Sequence, residues 1–256
     1  MSIGADGSRP LPDLIAEADR VIAAAQAGRV TLRLAGGIAI RKRHPSARKP
    51  PLQRRYADLD LAATSRGSRK AVTELITSLG YEPDTVFNAL HGQERLYFAD
   101  VPNQRHVDVF VDALRMCHVI DFKDRFDLLE DTLTVSDLLL TKLQIVELNQ
   151  KDLLDILAIL HDQRLEAGAP HALDPVYLGE VWGRDWPLWR TSGLTLSKVQ
   201  AQAASVLETD DKATVDAMIA ALQKVLADCQ KSLKWKLRAR VGDRVRWYEI
   251  PEEVHG

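Results

Sequence analysis

Little in this chain is specialised by composition. Two of the 256 residues are cysteine, Cys117 and Cys229, far apart and without paired spacing. That argues against a disulfide framework or a zinc site and leaves reduced thiols. There is no excess of either charge: the formal net charge is −2, so any nucleic-acid contact has to come from a local patch. No apolar run approaches the roughly 20 residues of a membrane helix. The opening segment Met1-Ser2-Ile3-Gly4-Ala5 has neither a basic start nor an apolar stretch, so it is not read as a signal peptide. There is no internal repeat. A cytoplasmic protein without membrane contact is the expectation.

What is present is core material, 46% hydrophobic residues, enough for one large domain or two small ones. Apolar residues at helical spacing over Asp13 to Ala27 predict a helix with Asp13 as N-cap and Gly28 as its end. Val30 to Ala35 predicts a strand closed by Gly36-Gly37, with a helical turn after it through Ile40. Ala57 to Ala63 predicts a strand, Arg66 to Leu79 a helix, and Glu94–Ala99 with His106–Val111 a hairpin. Beyond about residue 125 the pattern becomes helical. Ser136 is the expected cap of a helix from Asp137 to Leu148, and Lys151 to His161 forms the next. A Pro/Gly/Trp-rich stretch follows from Gly168 to Gly193, then helices over 195–207 and 212–233, and a terminal strand over Val245 to Ile250. The expected division is 1–125 and 126–256.

Carboxylates make the sharpest pattern. Strand alternation puts Asp58 and Asp60 on one face and Leu59 and Leu61 on the other. Asp108 shares a face with His106, Phe110 and Asp112, opposite Val107, Val109 and Val111. Asp-x-Asp on one strand and a lone acid on a neighbour are oxygen donors suited to Mg2+. Two such ions could bind a triphosphate and activate an attacking hydroxyl. Gly36-Gly37 before a helix lets backbone N–H groups approach phosphate.

In that order, Gly36-Gly37, Asp58-Leu59-Asp60 and Asp108 resemble the motifs of the nucleotidyltransferase fold of the polymerase-beta superfamily, over roughly residues 30–160. Leu138-Leu139-Leu140-Thr141-Lys142-Leu143 followed by Lys151-Asp152-Leu153-Leu154-Asp155-Ile156 resembles the downstream part of AbiEii-type nucleotidyltransferase toxins, which include the MenT-like toxins. The resemblance implies an α+β core with a small mixed sheet followed by a mainly helical region. It implies Mg2+-dependent transfer of a nucleoside monophosphate from an NTP to the hydroxyl of a tRNA or another cellular acceptor, with a cognate antitoxin protein as partner. Asp58, Asp60 and Asp108 would hold the metals, Lys142 would touch the triphosphate, and Asp152, with Asp155 nearby, would position that lysine or assist. The chain departs from the pattern at Ile38, where the superfamily often carries a hydroxyl residue.

Arg41 to Arg55 holds seven basic residues, three prolines and no acid, and is expected to be an exposed phosphate-clamping loop, with Arg41 and Arg55 the leading candidates. Lys231 to Arg246 is a second basic stretch, suited to RNA or to a solvated helix face. Trp182, Trp186 and Trp189 are expected to pack rather than stack on bases. Two other readings stay open: a small-molecule nucleotidyltransferase of the antibiotic-modifying kind, and a non-catalytic nucleotide- or RNA-binding module.

Overall fold

The computed structural model describes residues 9–67 and 69–250; the opening segment discussed above lies outside them. The chain is α+β and forms two compact units. The first comprises Met1–Ala39, Arg55–Leu114 and Asp121–Leu133, and the second Ile40–Arg54, Arg115–Ile120 and Thr134–Gly256.

The first unit is built on a five-stranded mixed sheet. Its strands are β1 (Leu32–Leu34), β2 (Leu59–Ala63), β3 (Glu82–Pro83), β4 (Arg95–Asp100) and β5 (Arg105–Val111), in the spatial order β1-β2-β5-β4-β3. The β2–β5 pair is parallel and the other pairs are antiparallel. Leu59, Leu61, Leu96, Phe98, Val107 and Val109 fill one face and are all but inaccessible to solvent. Helix α1 (Leu14–Ala27) turns Ala18, Val21, Ile22 and Ala25 inward, and the Asp13 carboxylate accepts from the Ala16 N–H at 2.8 Å, as its sequence position predicts. Helix α3 (Arg69–Ser78) adds Val72 and Ile76. Each such Val, Leu, Ile or Phe side chain, fully buried, contributes about 1.5–3 kcal/mol.

The β4–β5 connection sets the register that matters later. Asp100, buried at the end of β4, accepts from the Asn103 side chain and forms an ion pair with Arg105 at the start of β5. The turn closes through Gln104 in the left-handed conformation, φ 53°. This places Arg95 opposite Phe110 and Tyr97 opposite Asp108. Helix α4 (Thr85–His91) is pinned to β4 by Asn88, which accepts from the Tyr97 N–H at 2.7 Å and donates to the Tyr97 carbonyl at 3.0 Å.

Helix α2 (Gly36–Arg43) follows β1 directly. The hairpin β6 (Ala113–Arg115) and β7 (Val119–Asp121) precedes the helices α5 (Val135–Leu143), α6 (Gln150–Asp162), α7 (Pro175–Arg184), α8 (Trp186–Ala203), α9 (Thr209–Asp228) and α10 (Leu233–Val241). In the second unit α6, α7 and α8 all pack on α9.

Several expectations are corrected. The Pro/Gly/Trp-rich stretch is two helices, because Pro175 and Pro187 occupy first-turn positions where no N–H is needed, behind the caps Asp174 and Asp185. Gly183 allows the chain to close tightly there: a Cβ on it would lie 2.2 Å from the Gln230 carbonyl oxygen. The cap of α5 is Thr134, whose hydroxyl accepts from the Asp137 N–H at 3.2 Å, while the Ser136 hydroxyl accepts from Asp174 N–H. Val245 to Ile250 is not a strand: Glu249 N–H reaches the Cys117 carbonyl, but no ladder forms. Residues 41–55 are not a free loop. Part of the segment completes α2, Pro45–Arg48 is a 3-10 turn, and His44, Ala47 and Leu52 are buried. Its Ser46 N–H donates to Asp162 on α6 at 2.8 Å. That packing groups residues 40–54 with the second unit.

Candidate functional site

In the first unit the sheet gathers the predicted acids on the face opposite the core. Asp60 and Asp108 are register partners across the parallel β2–β5 pair, so they stand side by side at the strand spacing of about 4.8 Å. Asp58 precedes β2 and is exposed; Asp108 is 8% exposed. Gly36 makes the close approach possible. It opens α2 with φ +57°, and a Cβ built on it would lie 1.9 Å from Asp60 Oδ2. The Asp60 carboxylate therefore rests against a backbone that has no side chain to displace it, at the N-terminal end of α2, where unsatisfied N–H groups favour negative charge.

Arg95 is the residue that sequence reasoning missed. Its Nε donates to Asp108 Oδ1 at 2.6 Å, and its guanidinium lies 5.4 Å from the Phe110 ring centroid and 5.8 Å from that of Phe87. The signal was available. Alternation along Glu94 to Ala99 and the short hairpin turn place residue 95 on the acid-bearing face. The Tyr97 hydroxyl is pushed above its ordinary value of 10.0 by burial, then by the charges of Asp108 and Asp58, so both acids act electrostatically on one side chain. Among the described residues no group of three or more His, Cys, Asp or Glu is gathered closely enough to hold a metal ion.

In the second unit a buried charge cluster joins α5 to α6. Lys142 Nζ donates to Asp152 Oδ1 at 2.7 Å and lies 2.9 Å from Asp155 Oδ2. Arg54 grips Asp155 with two bonds, Nε to Oδ1 at 2.7 Å and Nη2 to Oδ2 at 2.8 Å. Burial pulls the Lys142 ammonium downward, but Asp155 and Asp152 outweigh it and hold the pKa above its ordinary 10.5. Lys142 and Asp152 are thus brought together, and Asp155 is shared between Lys142 and Arg54. Of the basic segment it is Arg54 that makes this contact. Arg41 lies in the last turn of α2 with its carbonyl accepting from Arg48 Nε at 3.0 Å, and Arg55 is exposed. Sequence alone could not separate the neighbours Arg54 and Arg55.

The remaining candidates are placed as follows. His106 is exposed beside Tyr97. His44 and His118 are buried: His44 Nδ1 lies 2.8 Å from the Ile40 carbonyl, and His118 Nε2 lies 2.7 Å from Thr191 Oγ1. Trp182 and Trp186 are packed, and Trp182 Nε1 donates to Ser192. The second basic stretch contains α10, with Leu233, Leu237 and Val241 exposed on it, and a 3-10 turn at Gly242–Arg244. A groove of about 850 Å³ in the second unit is lined by α7, α9 and residues 228–232, and by none of the predicted site residues. Among the described residues no helix is long and apolar enough to cross a membrane. Compared with protein-family models, curated proteins and solved structures, the chain matches none.

Proposed function

We propose that this chain is a Mg2+-dependent nucleotidyltransferase with a polymerase-beta-like core, moving a nucleoside monophosphate from an NTP to an acceptor hydroxyl. The observation that carries the reading is the pairing of Asp60 with Asp108 across the parallel β2–β5 ladder, with Gly36 beneath Asp60 at the start of α2. The donor set is all carboxylate oxygen, which is the chemistry a hard divalent cation requires. Asp60 and Asp108 would hold the metal, with Asp58 beside them. Once bound it would neutralise triphosphate charge and lower the pKa of the attacking hydroxyl. Arg95 orients the Asp108 carboxylate and supplies the positive charge beside it. The N–H groups opening α2 are donors for a phosphate oxygen.

The AbiEii/MenT-like resemblance supports a tRNA or other cellular acceptor and an antitoxin partner. Lys142 and Asp152 enter the reading through that resemblance alone; the ion pairs of Lys142 with Asp152 and Asp155, and of Arg54 with Asp155, support a stabilising role. One observation favours a second reading, a non-catalytic nucleotide- or RNA-binding module: Arg95 already holds Asp108.

Incubation with each labelled NTP, Mg2+ and total cell extract separates the two. Label should appear in RNA, protein or a small molecule and vanish in Asp60→Asn and Asp108→Asn. Absence of label with every NTP from a folded wild type would leave the binding module. Growth arrest on expression that disappears in Asp60→Asn would support the toxin assignment.

A further inference from the structure

The acid-bearing face of the first sheet also carries an ordered row of aromatic rings. Alternation puts Arg95 and Tyr97 of β4 on the same side as His106, Asp108 and Phe110 of β5, while Leu96, Phe98, Val107 and Val109 enter the core. The face turned away from the core of a sheet normally carries polar residues. Here Tyr97 and His106 stack with centroids 5.1 Å apart and planes 25° from parallel. Phe87 extends the row from α4, 5.8 Å from Tyr97, and His91 lies 4.8 Å beyond it.

The way α4 is held sets it apart from core-forming helices. None of its seven residues is buried, and Val86 and Leu90 are 70% and 73% exposed. The helix does not serve the core. The Asn88 side chain and the N–H of the cap residue Asp84 bond the Tyr97 backbone, and what that attachment positions is the Phe87 ring beside Tyr97 and Arg95. His106 and His91, at the two ends of the row, are exposed, so ring faces and edges are offered to solvent next to Asp108, which Tyr97 directly opposes.

With no cation between them the adjacent carboxylates repel phosphate, and the ring faces of Phe87, Tyr97 and His106 offer π surface rather than charge. A flat, uncharged, π-faced ligand suits both constraints. We infer that the Phe87–Tyr97–His106 row is a stacking platform for a nucleobase. The inference deepens the nucleotidyltransferase reading by assigning where a base lies relative to the acids. The base has two sources, the NTP or a single-stranded acceptor nucleic acid, and stacking treats them alike because every base has a π-face.

The test uses the full chain and reads binding, so it does not depend on turnover. Affinities are measured for a short labelled single-stranded RNA, for an abasic oligomer of the same length, and for each NTP with Mg2+. Wild type is compared with His106→Ala and Tyr97→Leu, and with Tyr97→Phe and His106→Tyr, which keep a ring. Ring loss should weaken the base-bearing ligand roughly fivefold to a hundredfold, and the ring-keeping variants should restore it. Loss confined to the oligomer places the acceptor base on the row; loss confined to NTP places the substrate base there. Equal wild-type affinity for abasic and base-bearing RNA together with unchanged NTP affinity in a natively melting His106→Ala overturns the platform. Because His106 is exposed, that variant keeps the test decisive if Tyr97→Leu fails to fold. Absence of label transfer with intact, ring-dependent binding would sink the enzymatic reading and leave the platform; the converse result would do the opposite.

Discussion

Replacing Gly36 with alanine brings two separable costs together at one position. The first is backbone: φ is +57°, and an L-residue in that left-handed region loses about 1–2 kcal/mol. The second is steric: the new methyl would sit 1.9 Å from Asp60 Oδ2 and 2.7 Å from its Cγ, so the carboxylate or the start of α2 must move. Together they should destabilise the first unit by about 2–4 kcal/mol, within the range of a severe single substitution. A double-mutant cycle isolates the parts. In an Asp60→Ala background the contacts to Oδ2 and Cγ are gone and only the backbone cost of about 1–2 kcal/mol and the residual contact to Cβ, 2.9 Å away, should remain, leaving a coupling of up to about 2 kcal/mol. Urea unfolding would be followed by hydrogen exchange at β2 amides. All five tryptophans, at positions 182, 186, 189, 235 and 247, belong to the second unit, so their fluorescence is an internal control. An equal Gly36→Ala cost with and without Asp60 would refute the claim that glycine is there to admit this carboxylate.

Four further outcomes are expected. Asp155→Ala strips Lys142 and Arg54 of a shared buried partner and should cost about 3–5 kcal/mol in chemical denaturation; a loss under 1 kcal/mol would show that the cluster is better hydrated than its burial indicates. Because the folded Lys142 pKa is raised, its stabilisation is complete below pH 10.5 and fades as the pH rises past the folded value, so Lys142→Met should flatten the alkaline limb of a stability–pH curve. His118 runs the other way: burial pushes it down from 6.5 to about 4, so the unfolded chain takes up its proton first and stability falls as pH drops from 6.5 toward 4. The full effect is about 3 kcal/mol, and His118→Gln should remove most of that slope in melts across the window. Finally, Arg95→Ala releases Asp108, so Mg2+ titrated calorimetrically should bind on the order of tenfold tighter, equivalent to an ion pair of about 1.4 kcal/mol; unchanged affinity would show that Arg95 does not compete with a cation.

The elements that position the acids were legible because their signals are local. Alternation over Arg95–Val111 yields the hairpin, Asp13 caps α1, and the glycine pair marks the turn into α2. What was hidden depends on partners distant in sequence. Arg95 meets Asp108 only once hairpin register is known, and Arg54 rather than its neighbours meets Asp155 only once α6 is packed. Pro175 and Pro187 look like breakers in a Trp-rich stretch but start helices behind aspartate caps. Val245 to Ile250 has the alternation of a strand and lacks a neighbouring strand to pair with.

The interleaving of the units has a consequence for how the chain is made. The first unit is fully synthesised once Leu133 is added, yet residues 40–54 and 115–120, which fall between its segments in sequence, belong to the second. During vectorial synthesis their burial partners do not yet exist: Ser46 waits for Asp162, and His118 waits for Gln144 and Thr191. A nascent or truncated product ending near residue 125 therefore exposes Ala47, which lies in the turn that packs on α6 and is hidden in the finished chain. Fragments cut there should need chaperones, or the missing C-terminal half supplied in trans, to stay in solution.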